Sequence, residues 1–443
     1  MALNYSDTDK EKYMTGQYLK EIKLYFPQLS LTVLNDEIYG ESLSLEEAIF
    51  DGNDELSFIG CISNRFSIEI RNQGVQLKNK EVRVSIRIDG GSWNRIFTGY
   101  VDSVETVRDR SYQKLLCYDA LYKNNSRNYF GTYSGLTFPV TIKNLRDSIF
   151  NFMGISQEST TLVNDNVSIP QTIEDGEIAA IDAIRSICQM NGVFGKIDAS
   201  GTFKYVDITI SQDALPYPDG IYPNEAYPAS DEGEANYIDK YREGGLWFDN
   251  YDVAAITGVT VRDGTSDSNY GQYGTSANML LIEGNIWCQG LSKVTKDSIA
   301  HNIFDKVRYI MYRPFEAVVP GLPYIECGDA ISLYVYDYSS GEPVTEVMSF
   351  SVLSRSLKGM QWMTDKFDAK GSEYQPEVKP VSFDSDTDKD IERIDNEISG
   401  IDTRINGMSD DITNLQNLIT YGTSDMTPGS SSLTTGHVYL MYE

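Results

Sequence analysis

The side chains that most often carry out catalysis are scarce in this chain of 443 residues. Its only two histidines, His301 and His437, are 136 positions apart and form no HExxH or HxxxH arrangement. A histidine-based metal site within one chain would therefore lack its usual ligands. A nucleophilic triad needs a Ser or Cys beside an oriented base, and no GxSxG-type turn occurs in the sequence. We expect no catalytic residues, no metal site and no cofactor.

Carboxylates and tyrosines are abundant enough to suggest carbohydrate chemistry. Neighbouring acids such as Asp36-Glu37 and Glu46-Glu47 could act as the two carboxylates of a glycosidase. With 65 acidic residues such pairs arise by chance. The 30 tyrosines could stack on sugars, but tyrosines spread along strands are more typical of cores and interfaces. The glycine clusters GQYGTS and REGG lack the lysine of a phosphate-binding loop. We predict that the chain is not an enzyme.

Composition and charge restrict the possible partners. The formal net charge is −28, which disfavours binding to a phosphate backbone because such binding needs clustered Lys and Arg. No apolar run approaches the roughly 20 residues of a membrane span, so we expect no membrane insertion. The N-terminus lacks the apolar segment of a signal peptide. The five cysteines are widely spaced, and we expect buried free thiols, as in a protein made in a reducing cytoplasm.

The segment 388–421 has the strongest periodicity in the chain. Apolar residues fill every a and d position of about four heptads, and mostly polar residues lie between them. This narrow stripe predicts a coiled coil, and Ile at both a and d favours three or more strands over two. We predict a parallel homotrimer; a surface helix packed on its own domain is the alternative. The predicted trimerisation residues are Ile391, Ile394, Ile398, Ile401, Ile405, Met408, Ile412, Leu415 and Ile419.

Upstream, alternating apolar and polar residues predict a mostly β fold. The strands Glu81–Ile88 and Arg95–Val101, joined by a turn at Asp89-Gly90-Gly91, form the clearest hairpin. Further strands are predicted at Leu29–Leu34, Arg65–Ile70 and Gln113–Asp119. Together they predict a β-barrel over residues 29–130. We expect a helix within residues 1–28, over Asp9–Tyr25, and a helical turn at Leu45–Phe50.

The rest of the chain divides into further predicted segments. Helices at Thr141–Phe152 and Ile178–Met190, followed by a hairpin, predict an α+β insertion over 131–215. A second β-rich barrel, which includes a helix at Thr295–Tyr309, spans 216–371. The class is thus α+β, mostly β. A linker (372–387), the coiled coil and a tail (422–443) follow.

The tail ends in an alternating stretch, His437–Tyr442, which predicts one short strand. A lone strand has unpaired backbone groups that can add to another protein. We therefore predict a docking strand for a downstream component of the assembly, with Val438, Leu440 and Tyr442 as anchors on one face. A disordered end is the alternative.

Four segments, in order along the chain, resemble the phage tail hub or baseplate hub family, the late-control-gene-D-like tail proteins. The similarity covers roughly residues 30 to 370. The segments are NDEIYGESLSLEEAIFDGNDELSFIGCISNRFSIEI, IFTGYVDSVE with LLCYDALY, AIDAIRSICQMNGVFGKIDASGTFKYV, and GLPYIECGDAISL. The resemblance implies two tail-tube-like barrels in one chain, so that three chains form a pseudo-sixfold ring.

The resemblance also implies a function and partners. It predicts a structural virion protein at the tail tip, made in the host cytoplasm, that joins the tail tube to threefold distal components. The expected partners are two further copies of the chain, the tail tube or a distal tail protein, and a downstream fibre or receptor-binding protein. DNA would only pass through the lumen. A trimeric adhesin and a tail-associated peptidoglycan hydrolase are the alternative functions.

Overall fold

The structure is a computed structural model of the chain, and it divides into two compact units, Met1–Phe383 and Asp384–Glu443. It describes residues 5–15, 17–49, 61–107, 111–173, 176–208, 236–238, 245–264, 267–337, 344–371, 419–422 and 438–441. Within these ranges, no helix is long and apolar enough to span a membrane.

Short helices and many strands alternate along the chain. The helices are α1 (Asp7–Thr15), α2 (Ala120–Lys123), α3 (Phe130–Tyr133), α4 (Ile142–Met153), α5 (Ala180–Asn191) and α6 (Lys293–Val307), with 3-10 helices at Pro27–Leu29 and Asn35–Glu37. The strands are β1 (Lys20–Phe26), β2 (Leu31–Leu34), β3 (Ile38–Ala48), β4 (Arg65–Arg71), β5 (Glu81–Ile88), β6 (Asn94–Val107), β7 (Tyr112–Tyr118), β8 (Val140–Thr141), β9 (Ser168–Ile169), β10 (Phe194–Ile197), β11 (Phe203–Val206), β12 (Asn236–Ile238), β13 (Leu246–Phe248), β14 (Gly258–Arg262), β15 (Gly271–Gly274), β16 (Met279–Glu283), β17 (Phe315–Pro320), β18 (Ala330–Asp337), β19 (Val344–Ser351), β20 (Ser354–Lys358), β21 (Thr364–Ala369), β22 (Ile419–Gly422) and β23 (Val438–Met441).

One antiparallel sheet of eleven strands dominates the first unit. Its strand order is β13-β17-β21-β20-β3-β4-β7-β6-β5-β1-β2. Residues alternate between its two faces, as in β5, where Val82 and Val84 are buried and Arg83 and Arg87 are only half-buried. We call the face that carries these arginines the outer face. The opposite face packs on the hydrophobic core, which continues into helices α4, α5 and α6.

The central pairing of this sheet joins segments that are far apart in the sequence. Strand β3 pairs with β20, from Ser44 opposite Lys358 to Ala48 opposite Ser354. The N-terminal strands β1–β7 and the later strands β13, β17, β20 and β21 therefore share one sheet. The mostly β, α+β class is confirmed. Two closed barrels were predicted, but they are not found among the described strands. The prediction rested on alternation, which indicates strands but does not reveal which distant strands pair.

Two local predictions in the N-terminal region were wrong. Residues Lys20–Tyr25 were assigned to a helix but belong to β1, in which Ile22 and Leu24 are buried and the intervening residues face outward. Leu45 was assigned to a helical turn but is buried in β3. In both places the pairing with neighbouring strands outweighs the helix propensity of Lys, Glu and Leu.

Locally determined elements were predicted well. Strand β5 has the predicted bounds, and Asp89 and Gly90 after it have φ of 52° and 71°, the left-handed conformation that a tight hairpin requires. Helix α5 ends at Gly192, whose φ of 62° forms the expected C-cap. Strands β10 and β11 form the predicted hairpin after it. All five cysteines are buried and none forms a disulfide, as expected.

Candidate functional site

The densest group of buried ionisable side chains lies beside the pairing of β3 with β20. We call it the ionic junction, and its members are Glu47, Lys196, Glu326, Arg355 and Asp365. All five have at most 9% of their surface exposed. Buried charges of this kind are found both at active sites and in structural networks.

Arg355 is the centre of the ionic junction. Its Nε lies 3.1 Å from both carboxylate oxygens of Asp365, and its Nη2 lies 2.8 Å from Asp365 Oδ2. Its Nη1 donates to Glu47 Oε2 at 3.1 Å. Backbone carbonyls of Leu322 and Ile325 accept the remaining hydrogen bonds. The five N–H donors of the guanidinium therefore all have acceptors.

Strand register places these groups together. Arg355 on β20 lies directly opposite Glu47 on β3, and Asp365 on the next strand, β21, reaches the guanidinium from the other side. Lys196, from the β10–β11 hairpin, donates to the Cys327 carbonyl at 2.8 Å and lies 3.8 Å from the Glu326 carboxylate.

The electrostatics of the ionic junction favour a structural role. Burial raises the pKa of Asp365, although Arg355 opposes this effect. Burial also raises the pKa of Glu326. The Cys327 thiol has a pKa well above its ordinary value because it is fully buried, which suppresses its use as a nucleophile. With every guanidinium donor occupied by the protein itself, the arrangement holds strands together rather than presenting a group to a substrate.

The described residues contain no group of His, Cys, Asp and Glu side chains that could hold a metal ion. Of the two histidines, His301 lies on α6, where its ring stacks on Tyr273 with centroids 4.0 Å apart and its Nε2 is 3.3 Å from Asp305. His437 lies outside the described residues.

A second buried cation fastens α6 to the loop after β14. Lys296 is fully buried, and its Nζ lies 2.7 Å from carboxylate oxygens of both Asp263 and Asp267. The hydrogen bond from Lys296 lowers the pKa of Asp267 to about 2.

Asp267→Asn should therefore remove the contribution of this carboxylate to the pH dependence of the free energy of unfolding. An aspartate whose folded pKa lies below its unfolded value of about 3.9 stabilises the fold fully above pH 4 and loses this contribution as the pH falls through about 2. The difference between wild type and variant in the free energy of unfolding, measured in urea, should be constant from pH 5 to 7 and shrink towards pH 2. Asp249→Asn is the control, because its side chain forms no ion pair within the described ranges. A difference that grows on acidification would contradict this assignment.

The predicted trimerisation residues fall mostly outside the described ranges; only Ile419 is within them. It lies in strand β22, so residues 419–421, which were predicted to end the helix, form a strand instead. The sequence Ile-Thr-Tyr supplies β-branched and aromatic residues that favour a strand. Whether the remaining heptad residues form a trimer stays a prediction.

The predicted terminal strand is present as β23. It contains Val438 and Leu440, whereas Tyr442 lies just outside the described residues. Strand β23 runs parallel to β22, with Ile419 opposite Val438 and Tyr421 opposite Leu440. This strand thus has a partner within its own chain, and its docking role stays a prediction.

The charged members of the ionic junction were missed from the sequence, although a signal was present. Arg355 lies two positions from the buried Leu353 and Leu357 and so shares their face of the strand. Asp365 lies in the same way between the buried Met363 and Phe367. Opposite charges at the inward positions of two successive strands indicate a buried ion pair.

No protein-family model matches this chain, and no curated protein matches it significantly. Similar solved structures include three tail proteins. The 43 kDa tail protein of prophage MuSo2 from Shewanella oneidensis is 12% identical, with a TM-score of 0.46 over 79% of this chain and 98% of that protein. A tail protein from Neisseria meningitidis MC58 is 12% identical, with a TM-score of 0.43 over 82% and 100%. The prophage tail protein gp18 from Listeria monocytogenes EGD-e is 12% identical, with a TM-score of 0.43 over 80% and 95%. The structural neighbours are therefore tail proteins, but similarity at this level assigns the chain neither a family nor a role.

Proposed function

We propose that this chain is a structural protein of a phage tail, and specifically a homotrimeric hub at the tail tip. Its β-rich part would contribute to a ring that joins the tail tube to threefold distal components. The proposal starts from the resemblance of four sequence segments to tail hub proteins, and it needs those segments to belong together in space.

The contacts between these segments carry the proposal. Glu47 of the first segment, Lys196 of the third and Glu326 of the fourth meet in the ionic junction. The second segment contacts the third, because Thr98 Oγ1 donates to the Ala199 carbonyl at 2.7 Å. Segments that contain residues as distant as Glu47 and Glu326 thus belong to one unit, as expected if the resemblance extends to the fold.

The heptad residues 391–419 supply the argument for three copies. Isoleucine at a and d disfavours a two-stranded coil. Gly400 and Gly407 each cost about 1 kcal/mol of helix propensity, so a single helix here would be marginal and needs association to persist.

Immunogold labelling of the particle that carries this chain tests the function. We expect label at the distal end of the tail, and particles made without the chain should lack a tip. Label along the tube or on the head would overturn the proposal. Clearing of cell-wall substrate by the purified chain in a zymogram would favour the hydrolase, and specific binding on a glycan array would favour the adhesin.

The docking role proposed for the tail can be tested separately from the hub role in the same particles. Strand β23 is paired on one edge by β22, so a partner could add a strand only at its other edge. Particles whose chain lacks residues 430–443 should retain the hub and lose the component beyond it. Particles with an intact distal component would refute this role and leave the hub assignment untouched.

A further inference from the structure

Four cations cluster on the outer face of the main sheet, two strands from its β2 edge. We call Lys23, Arg83, Arg87 and Arg95 the basic patch. Lys23 on β1 and Arg95 on β6 both lie opposite Ser85 on β5, so their backbones are about 10 Å apart. Arg83 and Arg87 flank Ser85 along β5 itself.

The basic patch is only partly neutralised. Arg87 forms two hydrogen bonds to Glu21, at 2.6 and 2.9 Å, and Arg83 forms one to Glu81 at 2.6 Å. Lys23 and Arg95 form no ion pair with any described residue. Four cations against two carboxylates leave two positive charges, in a chain whose net charge is −28.

The cations of the basic patch are crowded, and two of them pack on one aromatic ring. The Lys23 Nζ and the Arg87 Cζ each lie 4.5 Å from the centroid of the Trp93 ring. Burial lowers the pKa of Lys23, and Arg87 and Arg95 lower it further. Burial and the neighbouring Arg83 lower the pKa of Arg95. An anionic group placed here would relieve this repulsion without requiring the side chains to be reorganised.

Exposed apolar residues lie near the start of β1 and on its neighbour β2. Leu34, directly opposite Lys23 on the edge strand β2, is 44% exposed, and Leu19, just before β1, is 60% exposed. Trp362 is 83% exposed. Its neighbour Gln361 fixes this turn beside β1 by donating to the Lys20 carbonyl at 2.6 Å. Aromatic, aliphatic and arginine side chains together are typical of protein interfaces.

These features favour a protein partner over nucleic acid. Two unpaired cations are few compared with the roughly 6–10 phosphate contacts of a protein that binds a nucleic-acid backbone. Two cations already pack on the Trp93 ring, which leaves it poorly placed to stack on a base. The exposed apolar surface of Leu34, Leu19 and Trp362 contributes favourable free energy only when another surface covers it.

We propose that the basic patch, with Leu19 and Leu34 beside it, is where a second copy of the chain docks through carboxylates. The chain has 65 acidic residues against 37 basic ones, so a second copy supplies an excess of carboxylates, and charge complementarity favours it as the occupant. Two positive patches repel each other and cannot meet across a twofold axis. In the homotrimer of the proposed function the contact is heterologous, and its threefold repetition closes a ring. This inference rests on the homotrimer in the proposed function.

Amine-to-carboxylate crosslinking of the full chain tests the contact directly. A carbodiimide joins a lysine amine to a carboxylate within ion-pair distance as an amide, with loss of water. In a mixture of ¹⁵N-labelled and unlabelled chains that have exchanged subunits, mass spectrometry should find Lys23 linked to an acidic residue of the other isotope. Lys358, which is exposed on the same sheet, is the control and should form no such link. Links from Lys23 that join only residues of one chain, or no links at all, would overturn the proposal.

A charge-reversal variant supplies an independent measurement. Lys23→Glu with Arg95→Glu should raise the concentration at which the full chain dissociates by about 100-fold, measured by light scattering, because like charges then face each other. Lys358→Glu should leave it unchanged. Binding of a 20-nucleotide DNA that disappears in the double variant, while self-association stays normal, would assign the patch to phosphate and overturn the proposal. If immunogold labels the tail tip but Lys23 forms no inter-chain links, the docking surface is refuted and the proposed function is not.

Discussion

Arg355→Met is expected to lower the free energy of unfolding by about 3–5 kcal/mol, the usual cost of removing one partner from a buried ion pair. Asp365 is 0% exposed and Glu47 is 9% exposed, so both carboxylates would lose their cation without gaining water. The carbonyls of Leu322 and Ile325 would lose a donor as well. Urea unfolding followed by circular dichroism measures the change.

Arg65→Met is the matched control for this measurement. Arg65 also pairs with an acid on β3, since its Nη1 lies 3.3 Å from Glu46, but both side chains are 44% exposed. The loss should stay below about 1 kcal/mol. Adding Asp365→Leu to Arg355→Met should recover part of the stability, because it removes one of the two orphaned charges. Equal losses in Arg355→Met and Arg65→Met would show that the ionic junction does not stabilise the fold.

Ile401→Asp combined with Ile405→Asp is expected to abolish the coiled coil. In a trimer these substitutions would place six carboxylates in the apolar contact between the helices, at a cost of several kcal/mol per chain. Light scattering should show a loss of trimer, from three times 49.8 kDa towards the mass of one chain, unless contacts within the first unit suffice to hold the copies together. Circular dichroism at 222 nm should report the loss of helix.

Thr403→Asp provides the control for charge alone. Thr403 occupies the f position of the same heptad, which faces away from the predicted contact, so helix content and mass should remain at wild-type values. If the double aspartate variant also kept its helix content and its mass, the heptad residues would not form an intermolecular contact.

Local patterns predicted the elements of this fold far better than their arrangement. Strand β5, its hairpin turn and helix α5 follow from periodicity and capping within about a dozen residues. The stretch Lys20–Phe26 contains both helix-forming residues and an alternation of period two, and only its pairing with β5 decides between them. The pairing of β3 with β20 has no local signature at all. For that reason alternation alone does not establish the predicted closed barrels, which are not found among the described strands.

The candidate sites show the same division. The sequence places Arg355 and Asp365 at otherwise apolar, inward positions of β20 and β21. Their contact with each other depends on how these two strands are aligned, which the sequence does not show. The basic patch likewise requires three strands to be placed side by side. The heptad pattern of 391–419 is local and was easily recognised, yet its predicted partner is another chain, and single-chain geometry does not test it.

The pairing of β3 with β20 also has a consequence for biosynthesis. About 310 residues separate the two strands, so at 5–20 residues per second roughly 15–60 s pass between their translation. During that interval one edge of β3 has no partner in its own chain, and an open edge can pair with other nascent chains. A chain that terminates before residue 358 never closes this edge. The eleven-stranded sheet can thus form only on chains that extend through β21, and products that end before β20 are expected to be prone to aggregation.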